Sequence, residues 1–249
     1  MAAKGSAGRT DAHSDAVRES ESSARAAGSV RRKDHAAVAR RIVPRMPNGL
    51  RQAFRRDAFL TTKSQGEKRL YSVRRGVLVS SLDPEEGEPL VCALHVPGDF
   101  IPVAWLATER PLTVKAVTDA EVDVFAEANL KRFFRDDAES GFALFDSICD
   151  MAVRQREAYC ILRRLSVEGR LANFLLALGD HLGAREGRCF RVALPMRRCE
   201  IANYLGLRSE TLSRVFARWR AEGLIEPGEL RQITFPDIGR LEAVSRDEG

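Results

Sequence analysis

The spacing of apolar residues changes along the chain, and each change marks a different predicted structure. Over residues 60–125 the apolar residues form short runs, bounded by turn-forming residues such as Gly76 and the Pro97-Gly98-Asp99 triplet. Short runs separated by such turns are typical of antiparallel strands rather than of alternating helices and strands. The pattern predicts an antiparallel β-roll with strands at residues 69–73, 77–81, 90–96, 112–117 and 121–125.

From about residue 142 to residue 165 the apolar spacing becomes helical. Apolar residues recur there at alternating three- and four-residue steps, as at the a and d positions of a coiled-coil heptad. The polar residue of this stripe, Gln155, is uncharged, so pairing two copies would not bring like charges together. We expect a long helix that joins two chains into a homodimer, with packing of the stripe on its own β-roll as the alternative. The predicted dimer seam is Ile148, Met151, Gln155, Ala158, Leu162 and Leu165.

The C-terminal third predicts a winged helix-turn-helix domain. An amphipathic helix is expected at residues 167–183, where Gly183 acts as its stop. Residues 189–194 suit a short strand, and residues 225–235, with Pro227 and Gly228 in the turn, suit a hairpin wing. Two short helices lie between these segments, in the order that this domain requires.

The helix-turn-helix itself spans residues 197–225. Gly206 permits the sharp turn that a side chain would crowd, and Leu207 fills the gap between the two helices. Apolar residues at helical spacing give each helix one inward face and leave a polar face on the second. The predicted inward residues are Ile201, Ala202 and Leu205 in the first helix and Leu212, Val215, Phe216 and Trp219 in the second.

The polar face of the second helix carries side chains that can read base edges in the major groove of double-stranded DNA. Arg214 can donate two hydrogen bonds to guanine O6 and N7, Glu210 can accept one from cytosine N4, and Ser213 can bond a base edge. The competing interpretation is a solvated helix face without a partner. Contacts with the DNA backbone or beside the half-site are expected from Arg197, Arg198, Arg208, Thr211 and Arg218.

The segment ANYLGLRSETLSR, residues 202–214, resembles the recognition segment of the catabolite-activator and FNR superfamily of bacterial regulators, and the resemblance extends over residues 50–240. Glu210, Ser213 and Arg214 form the E-x-x-S-R pattern of its FNR and FixK-like members, whereas members like the catabolite activator carry glycine in place of Ser213. The resemblance implies a transcription regulator, of the activator type, that binds a palindromic operator with TTGAT-like halves. Arg208 departs from the uncharged residue usual at its position.

The same resemblance implies a β-roll of the cyclic-nucleotide-binding type. A regulator gated by a cyclic nucleotide or haem in that roll is therefore the alternative function. Nucleotide binders that resemble this domain carry an acidic residue for the ribose and an arginine followed by serine or threonine for the phosphate. Here Val103 stands at the acidic position and Pro111 follows Arg110, so no cofactor is expected. The acidic turn at residues 83–88 corresponds to a loop that can contact RNA polymerase in the superfamily.

Length and composition indicate how the chain is divided into domains and which partners are possible. With 249 residues, 44% of them hydrophobic, the chain can bury a core and is long enough for two modest domains. The net charge of +5 permits a polyanionic partner without requiring one. Without a long apolar run or a signal peptide, we expect a cytoplasmic protein that has no membrane contact. The expected α+β organisation is a disordered tail (1–45), a β-roll (46–140), a dimerisation helix (141–165) and the winged helix-turn-helix (166–249).

The cysteine spacing and the absence of known catalytic motifs argue against a metal site and an enzyme active site. The chain has five cysteines without a C-x-x-C pair, so we expect reduced thiols and no metal. Oxygen-sensing FNR proteins carry an N-terminal cysteine cluster and one cysteine in the sensor domain. By resemblance, Asp123 stands here at the position of that sensor-domain cysteine. No H-E-x-x-H, G-x-S-x-G or phosphate-binding glycine loop is present, so we expect no enzyme.

Cys199 is a candidate redox switch. It follows Arg197 and Arg198 at a predicted helix start, where the cations and the helix dipole favour the thiolate. Oxidation there would add negative charge beside arginines that face phosphate. The alternative is a small residue that only fills space.

Overall fold

The computed structural model describes residues 36–61, 68–82, 89–103, 112–228 and 231–247. Its helices are residues 36–42 (α1), Glu127–Asp136 (α2), Ala138–Arg164 (α3), Val167–Leu182 (α4), Arg198–Tyr204 (α5), Ser209–Ala221 (α6) and Ile238–Val244 (α7). Its strands are Leu50–Phe54 (β1), Phe59–Thr61 (β2), Arg69–Arg75 (β3), Leu78–Leu82 (β4), Leu90–His95 (β5), Phe100–Val103 (β6), Leu112–Ala116 (β7), Ala120–Ala126 (β8), Gly183–Glu186 (β9), Cys189–Ala193 (β10) and Gln232–Phe235 (β11).

Two antiparallel sheets enclose the core of the N-terminal half. One sheet has the strand order β1-β8-β3-β6 and the other has the order β2-β7-β4-β5. Side chains alternate along each strand, so one set from each sheet points into the space between them. This arrangement confirms the predicted β-roll. The residues that fill the space are Tyr71, Val73, Leu78, Ile101, Val114, Ala116, Ala120, Val122 and Val124.

Strands β1, β2 and β6 lie outside the runs that the sequence pattern predicts. β1 pairs with β8 from Leu50 opposite Val124 to Phe54 opposite Ala120, although Leu50 is 66% exposed. A strand whose apolar residue faces outwards gives no inward-outward alternation to detect. β6 contains Pro102, which a sheet tolerates because β6 is an edge strand.

The expected disordered tail reaches too far along the chain. Residues 36–42 form α1, and a 3-10 turn follows at Val43–Arg45. Ala39 and Ile42 are buried against the β-roll, where Ile42 joins a cluster with Phe100 and Phe125. This burial stabilises the segment, so the boundary of the predicted tail at residue 45 is wrong. The remainder of that prediction, residues 1–35, lies outside the described residues.

Helix α3 is the long helix that the heptad pattern predicts. It begins at Ala138, three residues before the expected start, because Asp137 Oδ1 accepts a hydrogen bond from Ser140 N at 3.1 Å and caps the first turn. It ends at Arg164, and α4 begins at Val167. Among the described helices, none combines the length and the hydropathy that a membrane crossing requires.

The C-terminal domain has the predicted helices and a smaller wing. Ser166 Oγ accepts from Gly169 N at 3.0 Å and starts α4, and the sheet order is β11-β10-β9. The hairpin expected at residues 225–235 is only partly correct. Among its described residues, only the second half forms a strand, β11. Its first half contributes a bond from Glu226 N to Thr234 O, before Pro227, which has no N–H to extend a ladder.

A single apolar cluster joins the two domains. It includes Val79 and Val91 from the sheet β2-β7-β4-β5 together with Leu205 of the turn and Phe216 of α6. Packing, and not only the connection after α3, therefore holds the C-terminal domain against the roll.

Candidate nucleic-acid interface

A tight turn sets the angle between α5 and α6. Gly206 has a φ of 66°, in the left-handed region that glycine adopts without strain. Leu207 N donates to Ala202 O at 2.8 Å, and the Leu207 side chain packs half-buried against the core cluster. The structure confirms the turn and the inward residues that the sequence predicts, but not the expected crowding. No described atom lies within 4 Å of where a Cβ of residue 206 would stand, so the turn needs glycine for its φ alone.

Helix α6 buries one side and exposes the other. Its inward residues Leu212, Val215, Phe216 and Trp219 are at most 3% exposed. At about 100° per residue, Glu210, Ser213 and Arg214 project from the opposite side of the helix. All three are exposed, and we call them the outer face of α6.

The outer face of α6 has uncommitted hydrogen-bonding groups. Within the described part of the chain, no ion pair or hydrogen bond ties the side chain of Glu210, Ser213 or Arg214 to another group. A carboxylate, a hydroxyl and a guanidinium are therefore presented together on a convex helix surface. Their donors and acceptors can satisfy complementary groups on a partner.

The side chains around the outer face are engaged to different degrees. Arg208, the residue that precedes α6, is exposed, and Thr211 is half-buried. Arg218 forms an ion pair with Glu168 of α4 and still keeps 55% of its side chain exposed. Arg208 is therefore open to a phosphate, whereas Arg218 would share its charge with Glu168.

Arg198 lies at the start of α5 over the ring of Phe216, with its guanidinium carbon 4.9 Å from the ring centroid. Burial, and then the nearby charge of Arg220, lowers the pKa of Arg198 from its ordinary value. The side chain stays cationic at neutral pH, because an arginine begins from a very high pKa. Two neighbouring guanidinium groups make a patch where an anion would relieve repulsion.

Arg197 is engaged with the β-roll. Its Nη2 donates to Asp57 Oδ1 at 3.1 Å, and this hydrogen bond is the main reason why the pKa of Asp57 falls and that of Arg197 rises. The Arg197 side chain is 59% exposed. A DNA phosphate would have to compete with Asp57 for this arginine.

Glu168, which no sequence pattern singles out, lies in the first turn of α4 and supports α6. The indole N–H of Trp219 donates to Glu168 Oε2, and the other oxygen pairs with Arg218. An acidic residue in a first helical turn is common because it interacts with the helix dipole. The sequence therefore explains Glu168 without its contact to Trp219, which lies 51 positions further along the chain.

The residues of the predicted dimer seam differ in how far they are buried. Met151 is 6% exposed, so almost none of it is left to contact a second chain. Gln155 is exposed, and the side chain of Leu162 lies outside the described residues. The half-buried members of the predicted seam are Ile148, Ala158 and Leu165.

Other apolar side chains of α3 are far more accessible. Phe142, Phe145 and Tyr159 are 70%, 54% and 62% exposed. Ala152, also exposed, lies seven residues after Phe145 and seven before Tyr159. The most exposed heptad stripe is therefore rotated from the predicted one, towards these residues.

The residues considered for a nucleotide are only partly described. Val103 ends β6, whereas Arg110, Pro111 and the acidic turn at residues 83–88 lie outside the described residues.

Asp123, at the position that resembles a sensor cysteine, is buried and already paired. Its carboxylate lies 2.9 Å from Arg74 Nη1 and 3.8 Å from Arg51 Nε. These ion pairs link β8 to the neighbouring strands β3 and β1. A cavity of about 330 Å³ lies beside Asp123, between α1 and β3.

Cys199, the candidate redox switch, is exposed on α5 next to Arg197. All five cysteines of the chain fall within the described ranges, and each is a free thiol. In the described part of the chain, no group of three or more cysteine, histidine or acidic side chains is arranged to hold a metal ion.

Comparisons with known proteins agree with this geometry. Residues 169–244 match the family of Crp-like helix-turn-helix domains. The chain is 30% identical over 177 residues to a probable transcriptional activator of Rhizobium leguminosarum bv. viciae, covering 71% of this chain and 73% of the relative. It is 31% identical over 182 residues to the nitrogen fixation regulation protein FixK of Bradyrhizobium diazoefficiens, covering 70% and 73%.

A solved structure shares the architecture. The structure of FixK2 from Bradyrhizobium japonicum matches with a TM-score of 0.68 at 25% identity. The match covers 81% of this chain and 99% of FixK2. It confirms the predicted α+β order of β-roll, long helix and winged helix-turn-helix.

Proposed function

Because this chain belongs to the Crp/Fnr family of transcription regulators, in its FNR and FixK branch, we propose that it binds a two-fold symmetric operator as a homodimer. Each half-site is TTGAT-like, since the outer face of α6 carries the E-x-x-S-R combination. Members of the family are regulators rather than enzymes, so recognition of DNA is the activity to test.

One observation carries the proposal: the uncommitted side chains of Glu210, Ser213 and Arg214 lie opposite the buried side of α6. A helix fits the major groove of B-form DNA, where each base pair presents a distinct pattern of donors and acceptors. In the proposed complex Arg214 binds the guanine of the half-site, Glu210 accepts from a cytosine, and Ser213 contacts a neighbouring base edge.

Charge around α6 supports the same docking. Arg208 is exposed beside the helix start, and Arg198 with Arg220 forms a cationic patch at the start of α5. Phosphates on either side of the groove would neutralise these groups and release counterions from the DNA. These arginines would position the domain without selecting a sequence.

The dimer is proposed to form along the exposed side of α3. Phe145, Ala152 and Tyr159 recur every seven residues, and Ile148 and Gln155 follow the first two by three residues. This spacing is that of a and d positions on one stripe, and pairing it with a second copy would bury large aromatic side chains. The proposed seam keeps Ile148 and Gln155 of the predicted set and replaces Met151 and Ala158.

Activation of transcription is also part of the proposal. The Rhizobium relative is described as a probable transcriptional activator. The acidic turn at residues 83–88 is our candidate for contact with RNA polymerase, and it lies outside the described residues.

Selection of bound duplexes from a random pool tests the proposal. The full-length protein should enrich inverted TTGAT-like halves, and Arg214→Ala should lose about 1 to 3 kcal/mol per half-site together with the preference for guanine. Arg214→Lys is the matched control because it keeps the charge and removes the two-pronged donor. It should bind with weakened preference for guanine. Unchanged preference in Arg214→Ala would exclude this assignment.

A further inference from the structure

Four charged side chains meet where the β-roll touches the first helix of the helix-turn-helix. Lys115 of β7 forms an ion pair with Glu200 of α5, and their side chains are only 19% and 17% exposed. Asp57, in the turn between β1 and β2, lies 3.7 Å from Lys115 Nζ and 3.1 Å from Arg197 Nη2. We call Asp57, Lys115, Arg197 and Glu200 the interdomain charge cluster.

Glu200 connects the start of α5 to the roll. Its Oε2 accepts a hydrogen bond from Arg197 N at 2.8 Å, which caps the helix, while its Oε1 pairs with Lys115. The Lys115–Glu200 pair is largely shielded from water, so salt screens it less than an exposed pair. The exposed Asp57–Arg197 contact contributes less.

Two further hydrogen bonds cross the same boundary. Arg56 Nη2 donates to Pro195 O at 2.6 Å, just before α5. At the other end of the helix, Val91 N donates to Asn203 Oδ1 at 2.8 Å. Val91 lies on β5, an edge strand, and Asn203 thus satisfies an amide that points away from the sheet. Helix α5 is therefore held at both ends.

The covalent link between the domains is short and leaves rotation possible. Only Leu165 and Ser166 separate α3 from α4. A rotation about this link would move α6 relative to α3, and in a dimer the distance between two α6 helices would change. Recognition helices of a dimer read half-sites about one DNA turn, roughly 34 Å, apart. The angle of the C-terminal domain is thus a determinant of half-site spacing.

We propose that the interdomain charge cluster orients α6 relative to α3 and so sets the half-site spacing that the protein accepts. Lys115 is its central positioning residue, because it contacts carboxylates on both sides of the boundary. The claim about half-site spacing rests on the proposed function. The claim that the cluster holds the C-terminal domain against the β-roll concerns the protein without DNA.

Amide exchange at Val91 tests the claim about the protein without DNA. Lys115→Met removes the cation and keeps most of the apolar stem. It should loosen the α5 contact and speed exchange of the Val91 amide by about tenfold or more. Lys115→Arg keeps the charge and should preserve slow exchange. Arg188→Met, which removes an ion pair with Asp237 inside the C-terminal domain, is the control for general loosening and should leave Val91 unchanged.

Operators whose half-sites are moved apart or together one base pair at a time test the claim about half-site spacing. Lys115→Met should bind the preferred spacing about tenfold more weakly, a loss of ~1.4 kcal/mol, and discriminate less between spacings, while Lys115→Arg behaves as wild type. Circular dichroism should show that every variant is folded.

The outcomes separate the two claims. Wild-type Val91 exchange and spacing preference in Lys115→Met would overturn the inference, and so would tighter binding, which would make the cluster an inhibitory clamp. Failure of the wild-type protein to bind any operator would instead reject the proposed function, whatever the exchange at Val91.

Discussion

The indole N–H of Trp219 donates a hydrogen bond to Glu168 Oε2 at 3.1 Å and thereby ties α6 to α4. Trp219 is fully buried, so its N–H has no water to bond and needs an acceptor from the protein. The same carboxylate pairs with Arg218, one turn from the outer face of α6. Glu168 therefore supports both the core of the domain and the placement of a flanking arginine.

Replacing Glu168 with alanine should lower the free energy of unfolding by about 1 to 3 kcal/mol, because the buried indole donor loses its partner. Urea denaturation measures this change, and Glu222→Ala, at an exposed position after α6, is the control. In a Trp219→Phe background the Glu168→Ala effect should shrink, since no indole donor remains to be left unpaired. Strictly additive effects would contradict this explanation.

The helix-turn-helix was predictable because its determinants are local. Gly206 and Leu207 mark the turn within the motif itself, and the apolar spacing around Phe216 and Trp219 reports which side of α6 is buried. The contacts that orient this motif could not be predicted in the same way. Arg197 and Asp57 are 140 positions apart, and only the packing of the two domains brings them together.

Helix α3 shows a different limit of prediction from sequence. Its heptad spacing predicted a long helix, but two stripes one residue apart both contain apolar residues. Met151 and Tyr159 look equally suitable as seam residues in the sequence, and only the fold shows that Met151 is covered while Tyr159 is exposed. Spacing reports that a helix has an apolar side without telling which element covers it.

Arg198→Ala should weaken binding to all DNA sequences alike, because the guanidinium over Phe216 is expected to contact phosphate. The slope of log affinity against log salt should become shallower by about 0.9 for each phosphate that the variant no longer neutralises. Titrations at several salt concentrations measure the slope. Arg132→Ala on α2 is the control and should leave it unchanged. A loss of sequence preference in Arg198→Ala would assign it to base reading instead.

Ala152→Glu should convert the dimer to monomers, because two carboxylates would then face each other across the proposed seam. Light scattering coupled to gel filtration would show the mass falling by half, and operator affinity should fall with it. Ala128→Glu, which adds the same charge at an exposed position of α2, should remain dimeric. A dimeric Ala152→Glu protein would place the seam elsewhere on α3.

Peroxide should reduce operator affinity in the wild-type protein and not in Cys199→Ser. Oxidation of the exposed Cys199 thiol to an oxyacid adds negative charge next to Arg197 and Arg198, on the side proposed to meet phosphate. Affinity is measured before and after treatment, and mass spectrometry identifies the oxidised residue. The other exposed cysteines are present in both proteins, so equal losses would assign the effect to one of them and discard the switch.

His95 should make the protein less stable in mild acid. It is 1% exposed, its Nε2 lies 3.0 Å from Ser80 Oγ, and Asp99 and Arg154 are the nearby charged groups. Burial lowers the pKa of His95, against the opposing effect of Asp99, so the folded chain keeps this ring neutral where the unfolded chain protonates it.

The contribution of His95 is fully present above the unfolded-state pKa, about 6.5, and is lost as the pH falls towards the lower folded-state value. The free energy of unfolding should then fall by at most about 1.4 kcal/mol per pH unit from this group. Urea denaturation at about pH 7.5, 6.5 and 5.5 measures the slope. His95→Gln should flatten it. If this substitution left the slope of the wild-type protein intact, carboxylates rather than His95 would account for the acid sensitivity.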